Sequence, residues 1–247
     1  MKFLASFAAL TLLAGALGAG DLVVTKEKHS DAMAGQAATD TVEVSWFGKD
    51  RMRTDEGTSI TIVRADLKKM YMLDAKAKTY SVIDLPLDMK KYIPAEMAPM
   101  LEHMGAMKAT VTPTTETKKI KDWDATRYTM TMSMPMGGMT QELWVVKNLG
   151  AEFPGWRELS ATVMSANPFG GNMAEEMKKI DGLPVLVERT MKMPGGEMKA
   201  RESVVSVETK EPAAGFYDLP EGYTEKPFDP LAGMGMGPGG GRPRRGQ

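Results

Sequence analysis

Cysteine is absent from the 247 residues. That excludes disulfides, thiolate metal centres, cysteine nucleophiles and lipid attachment at a cysteine, so any core must hold the fold unaided. Histidine is almost as scarce, with two copies, His29 and His103. Neither sits in a His-Glu-x-x-His zinc spacing. His103, beside Glu102 on an expected helix, reads as a solvated or capping residue rather than a catalytic base. No Gly-x-Ser-x-Gly elbow, phosphate loop or dinucleotide fingerprint occurs, and the reading is accordingly non-enzymatic, with no cofactor. Basic blocks are missing from the folded part: 31 basic against 32 acidic side chains leave a net charge of −1, and nucleic acid is not an expected partner. After Leu17 no apolar run approaches the roughly 20 residues that a membrane helix requires.

The N-terminus carries Lys2, an uncharged apolar run from Phe3 to Leu17, and small residues before Asp21. This is the three-part layout of a cleavable secretory signal, too short to span a bilayer. Residues 1–20 are expected to be removed, with the mature chain starting at Ala19 or Asp21 in the periplasm or outside the cell.

From Asp21 to Asp84 apolar residues recur with period two, the spacing of one strand face. Val42, Val44 and Trp46 alternate with Glu43 and Ser45, Ile60 and Ile62 flank Thr61, Met70 and Met72 flank Tyr71, and Tyr80 and Val82 flank Ser81. Turn signals separate these runs, as in Asp55-Glu56-Gly57 and Asp74-Ala75-Lys76, predicting an antiparallel meander. Between Asp88 and Met107 the period becomes helical, with Met97, Met100, Leu101, Met104 and Met107 in one row. Strands are expected again over Thr115–Lys121, Ala125–Met132 and Thr140–Lys147. A broken helical stretch follows over Gly155–Lys179, then a hairpin of Pro184–Met193 and Glu197–Thr209 about Pro194-Gly195-Gly196. The segment 229–247 is Gly, Pro, Met and Arg, and cannot bury enough apolar surface to fold. The expectation is one α+β domain over residues 21–228: a large antiparallel sheet of roughly ten strands with two helical insertions.

Methionine is the compositional anomaly, at 23 residues. Met130, Met132, Met134 and Met136 share one strand face, and Met191 and Met193 another. Three roles fit a flexible, polarizable thioether: core packing, a pliable wall around a variable apolar ligand, and a soft-sulfur site for Cu(I). Met134, Met136 and Met139 are the metal candidates of that last role.

Four phrases stand in a definite order along the chain: Gly48-Lys49-Asp50-Arg51-Met52-Arg53; Lys69-Met70-Tyr71-Met72-Leu73-Asp74 with Lys78-Thr79-Tyr80; Glu142-Leu143-Trp144-Val145; and Phe216-Tyr217-Asp218-Leu219-Pro220-Glu221-Gly222-Tyr223. Over Leu22 to Lys226 the chain resembles the exported family called domain of unknown function 4412. More distantly it is similar to outer-membrane lipoprotein carriers and periplasmic lipid-binding half-barrels. That resemblance implies a strongly curved antiparallel half-barrel whose concave face is covered by the helical insertions and holds acyl chains, with no catalytic residues. The expected function is a binding or carrier module for an apolar, lipid-like ligand. Its cavity would be lined by Trp46, Met52, Ile60, Ile62, Met70, Met72, Tyr80, Met97, Met100, Met104, Met130 and Met132. A Met-rich Cu(I)-binding protein and a structural envelope protein without ligand are the alternatives.

Overall fold

The computed structural model describes residues 20–32, 37–88, 91–92, 108–134, 137–147, 149, 159, 172–193 and 196–230. Twelve strands form one open sheet in the order β12-β6-β5-β4-β3-β2-β1-β11-β10-β9-β8-β7. The first six are β1 (Asp21–Ser30), β2 (Thr39–Phe47), β3 (Arg51–Glu56), β4 (Ser59–Arg64), β5 (Lys69–Asp74) and β6 (Thr79–Asp84). The last six are β7 (Lys108–Ile120), β8 (Trp123–Met134), β9 (Gly137–Val146), β10 (Leu183–Met193), β11 (Gly196–Lys210) and β12 (Thr224–Glu225). Two meanders, β1–β6 and β7–β11, are joined by the β1–β11 pair, and only β12 runs parallel to its neighbour.

The expected α+β class is overturned. Among the described residues one α-helix occurs, α1 (Met173–Met177), with a single 3-10 turn at Ala65–Leu67. The helix expected over 88–107 lies almost wholly outside the described residues, Met97, Met100 and Met104 with it. Of the stretch Gly155–Lys179 only residues 159 and 172–179 are described: Leu159 is helical and buried against Val63, Met70 and Ile83, and Met173–Met177 forms α1. Extended chain also covers parts of the sheet.

The clearest instance is the segment after β11. Phe216, Tyr217, Leu219 and Tyr223 pack against Ile62, Leu73, Trp46 and Tyr80. Thr224–Glu225 then pairs along the free edge of β6. Phe228 finally packs with Val63, Met70 and Ile83, its ring 5.2 Å from that of Tyr92 and edge-on to it. The segment thus wraps the sheet edge and places aromatic rings on both faces, while satisfying backbone groups that an open edge leaves unpaired.

The opposite edge is covered differently. Asn172 Oδ1 accepts from the Ala109 amide at 2.8 Å, Asn172 Nδ2 donates to the Ala109 carbonyl at 2.9 Å, and Glu176 accepts from the Val111 amide at 2.8 Å. A five-residue helix is too short to persist alone. Docking of Met173 and Met177 onto Val111, Tyr128 and Met130 holds it.

Candidate ligand-binding face

Directly opposed residues of an antiparallel pair share a face, so the register assigns every side chain. Val63 opposes Met52 on β3 and Met70 on β5, whereas Ile62 opposes Arg53 and Tyr71. Carried across the sheet, one face holds Met52, Val63, Met70, Met72 and Ile83 at one end and Val111, Tyr128, Met130, Met132 and Leu143 at the other. This is termed the first face. Trp46, Ile60, Ile62, Leu73 and Tyr80 belong to the second.

The expected lining residues therefore do not surround one cavity. Met52, Met70, Met72, Met130 and Met132 lie on the first face, and Trp46, Ile60, Ile62 and Tyr80 lie behind it. Period-two counting within each strand cannot see this, because relative register is set between strands. On the second face the four residues are packed under the C-terminal segment, which leaves them no space for a ligand. On the first face Met70 and Met130 are buried in two separate clusters, whereas Met72 is 45% exposed. Met134 closes β8 opposite Gly137, Met139 is half-buried on β9, and Met136 lies outside the described residues.

Between the two apolar ends the first face carries a polar band that sequence reading missed. Glu43 accepts from Lys26 at 3.0 Å and from Lys28 at 3.1 Å, and Lys28 also reaches Glu56 at 2.8 Å. Ser45, fully enclosed, donates to Glu43 and meets Thr54. Further along, Arg189 pairs with Glu202 at 3.2 Å. Burial alone would raise the Glu43 pKa, but Lys26 and Lys28 outweigh it and hold the carboxyl below its usual range. Burial would likewise lower Lys28, and Glu56 and Glu43 override it to hold the ammonium above its usual value. A partial signal was available: Lys26 and Lys28 share one face of β1, and Glu43 and Ser45 one face of β2, by period two, and the register brings the two faces together.

A cavity of about 500 Å3 lies along β1, β2 and β11, lined by Glu27, Lys28, His29, Asp40, Thr41, Val42, Arg201 and Ser203. Its lining is charged, which does not suit an acyl chain. His29 there offers no free ring nitrogen, since Nδ1 faces Asp40 at 2.7 Å and Nε2 faces Asp31 at 3.3 Å. The hydrogen bond to Asp40 is the main reason its pKa is raised.

Two of the four phrases, residues 48–53 and 216–223, meet in space. Arg53 Nη1 donates to the Phe216 carbonyl at 2.9 Å and its guanidinium lies 4.6 Å from the Phe216 ring centre. Arg51 lies 5.7 Å from the Tyr217 ring, and Trp46 meets Phe216 at 4.7 Å. Their role is to hold the C-terminal segment on the second face.

Comparison with known proteins gives one family match: the model described as Domain of unknown function (DUF4412) covers residues 24–223. No curated protein matches. Among solved structures, PNGF-II in the C2 space group is similar at 12% identity and a TM-score of 0.43, over 87% of this chain and 32% of that one. Its P21 form gives 12% and 0.41, over 85% and 32%. The chain thus spans about a third of the length of PNGF-II. A DUF1329 family protein from Desulfovibrio piger ATCC 29098 is similar at 10% identity and a TM-score of 0.25, over 81% of this chain and 90% of that one.

Proposed function

The chain belongs to the family of that domain of unknown function, DUF4412, and on that premise we propose that it is an exported, non-enzymatic binding or carrier module for an apolar, lipid-like ligand. The site is the first face alone rather than a cavity that also takes in Trp46, Ile60, Ile62 and Tyr80. The observation that carries the reading is the alignment of Met52, Met70, Met72, Met130 and Met132 on that one face, with Met72 still open to solvent. Thioether side chains re-pack around differing apolar shapes at little cost. The central band of Lys26, Lys28, Glu43 and Glu56 supplies hydrogen-bonding groups to a polar head lying between the two apolar ends. Export follows from the signal-like N-terminus, and no helix among the described residues is long and apolar enough to cross a membrane.

A fluorescent fatty-acid probe tests the proposal. Saturable binding weakened by Met72→Lys and by Met132→Lys, and unaffected by Ile62→Val on the second face, is the expected result. Absence of saturable binding overturns it. The structural-protein reading is favoured by one observation, the enclosure of Met70 and Met130 in closed clusters. Under that reading no probe binds, and Met70→Ala costs only the stability of a core truncation, about 2–5 kcal/mol.

A further inference from the structure

Met198, Met191, Met139 and Met132 stand in one row across four adjacent strands. Met198 opposes Met191 on β11 and β10, Met191 opposes Met139 on β9, and Met139 opposes Met132 on β8. All four therefore share the first face, and neighbouring Cβ atoms in such a row are about 4.5–5.5 Å apart. Met132 is buried at 8% exposure, while Met139, Met191 and Met198 are half-buried. Two of the sulfurs already act as acceptors: Met139 Sδ takes a hydrogen bond from Gln141 Nε2 at 3.4 Å, and Met198 Sδ one from Ser30 Oγ at 3.7 Å. Each of these two sulfurs thus has a polar neighbour, although Met139 also packs against the Val111, Tyr128 and Met130 cluster.

We propose that this row is a binding site for one soft monovalent metal ion, Cu(I) or its analogue Ag(I). Thioether sulfur is a soft neutral ligand and selects such ions over hard divalent cations. Three unbranched side chains on neighbouring strands, each with three rotatable bonds, can bring their sulfurs to a common point. Adjacent strands are about 4.8 Å apart, so four residues in a row span more than one ion can reach. The central pair Met139 and Met191 therefore supplies two ligands and one flanking methionine the third. Arg189, on the same face, is neutralised by Glu202 at 3.2 Å, which reduces the repulsion against an incoming positive charge. The site differs from the one sequence reading suggested: it keeps Met139 and takes its other ligands from β10 and from either β8 or β11 instead of Met134 and Met136.

The test uses the full mature chain with its methionines labelled at the methyl carbon, titrated with Ag(I), beside a competition assay between Cu(I) and a chromophoric chelator. One equivalent should shift the Met139 and Met191 resonances and leave that of Met70 in place. The double variant Met139→Leu/Met191→Leu conserves volume and removes sulfur. It should weaken Cu(I) by about a hundredfold or more while its melting temperature stays within a few degrees, since losing two of three ligands leaves no chelate. A Met70→Leu/Met130→Leu control should bind as the parent does. Equal affinity in the Met139/Met191 double variant, shifts confined to Met234 and Met236 in the tail, or no stoichiometric binding at all would each overturn the assignment. None of these outcomes alters the fatty-acid test.

Discussion

Tyr217 donates its phenolic hydrogen to the carboxylate of Asp21 at 2.5 Å across 196 residues of sequence. The first residue of β1 is thereby tied to the segment that wraps the sheet edge. Tyr217 is buried at 5% exposure, and burial together with Asp21 pushes its hydroxyl far above the ordinary phenol range. It therefore stays protonated and able to donate around neutral pH. Tyr217→Phe keeps the ring and removes the donor to a charged acceptor, a loss of about 1.5–3 kcal/mol. Chemical denaturation should register that loss, and an unchanged midpoint would mean that the bond contributes nothing net.

Gly182 opens β10 at φ +133°, and a Cβ there would collide with the carbonyl oxygen of Val146. Backbone cannot yield as the end of a flexible side chain can. Gly182→Ala should therefore destabilise by more than the roughly 1 kcal/mol that a mere conformational preference costs. Gly57, at φ +58° with open space around it, is the comparison site, and Gly57→Ala should cost clearly less in the same thermal melts.

Asn172 covers both backbone groups of Ala109 at the β7 edge. Its replacement by Ala exposes that edge to solvent and to pairing with other chains. Amide hydrogen exchange should lose protection at Ala109 and Val111 first, with the β1–β11 pair unaffected. Uniform loss of protection across the sheet would show that α1 supports the whole fold instead.

Stability should depend on pH through the polar band of the first face. Glu43 titrates below its ordinary 4.5 in the folded state, so its contribution is present above that value and lost as pH falls through the depressed one. Lys28 is raised above 10.5; its contribution is present below that value and lost as pH rises through the higher one. Glu43→Gln should flatten the acid limb of a stability profile and Lys28→Met the alkaline limb. Identical limbs in parent and variants would remove the band from the account of stability.

Much of the strand layout was legible in the sequence because period two is a local property. Tyr80 and Val82 lie within β6, Ile60 and Ile62 within β4, and the hairpin about Pro194-Gly195-Gly196 joins β10 to β11. Local signals also misled. The strand expected from Thr115 begins at Lys108, since Thr110 to Pro113 alternate no more clearly as strand than as loop. Within the described part of Gly155–Lys179 the helical period appears at Leu159 and as α1, whose five residues depend on contacts with β7 and β8.

The sequence by itself determined the absence of cysteine chemistry, the family and the alternation that makes strands, because composition, ordered phrases and period are read along the chain. Only the tertiary structure decided which faces those residues share. Ile60-Thr61-Ile62-Val63 has apolar side chains on both sides of β4, and nothing in those four residues says that Val63 will meet Met52 and Met70 while Ile62 meets Tyr71. Register between strands comes from turn lengths, three register shifts in the β1–β11, β9–β10 and β7–β8 pairs, and the total burial on each face. Those are long-range quantities, so the methionine row of β8–β11 and the bond between Asp21 and Tyr217 exist only once the sheet has assembled.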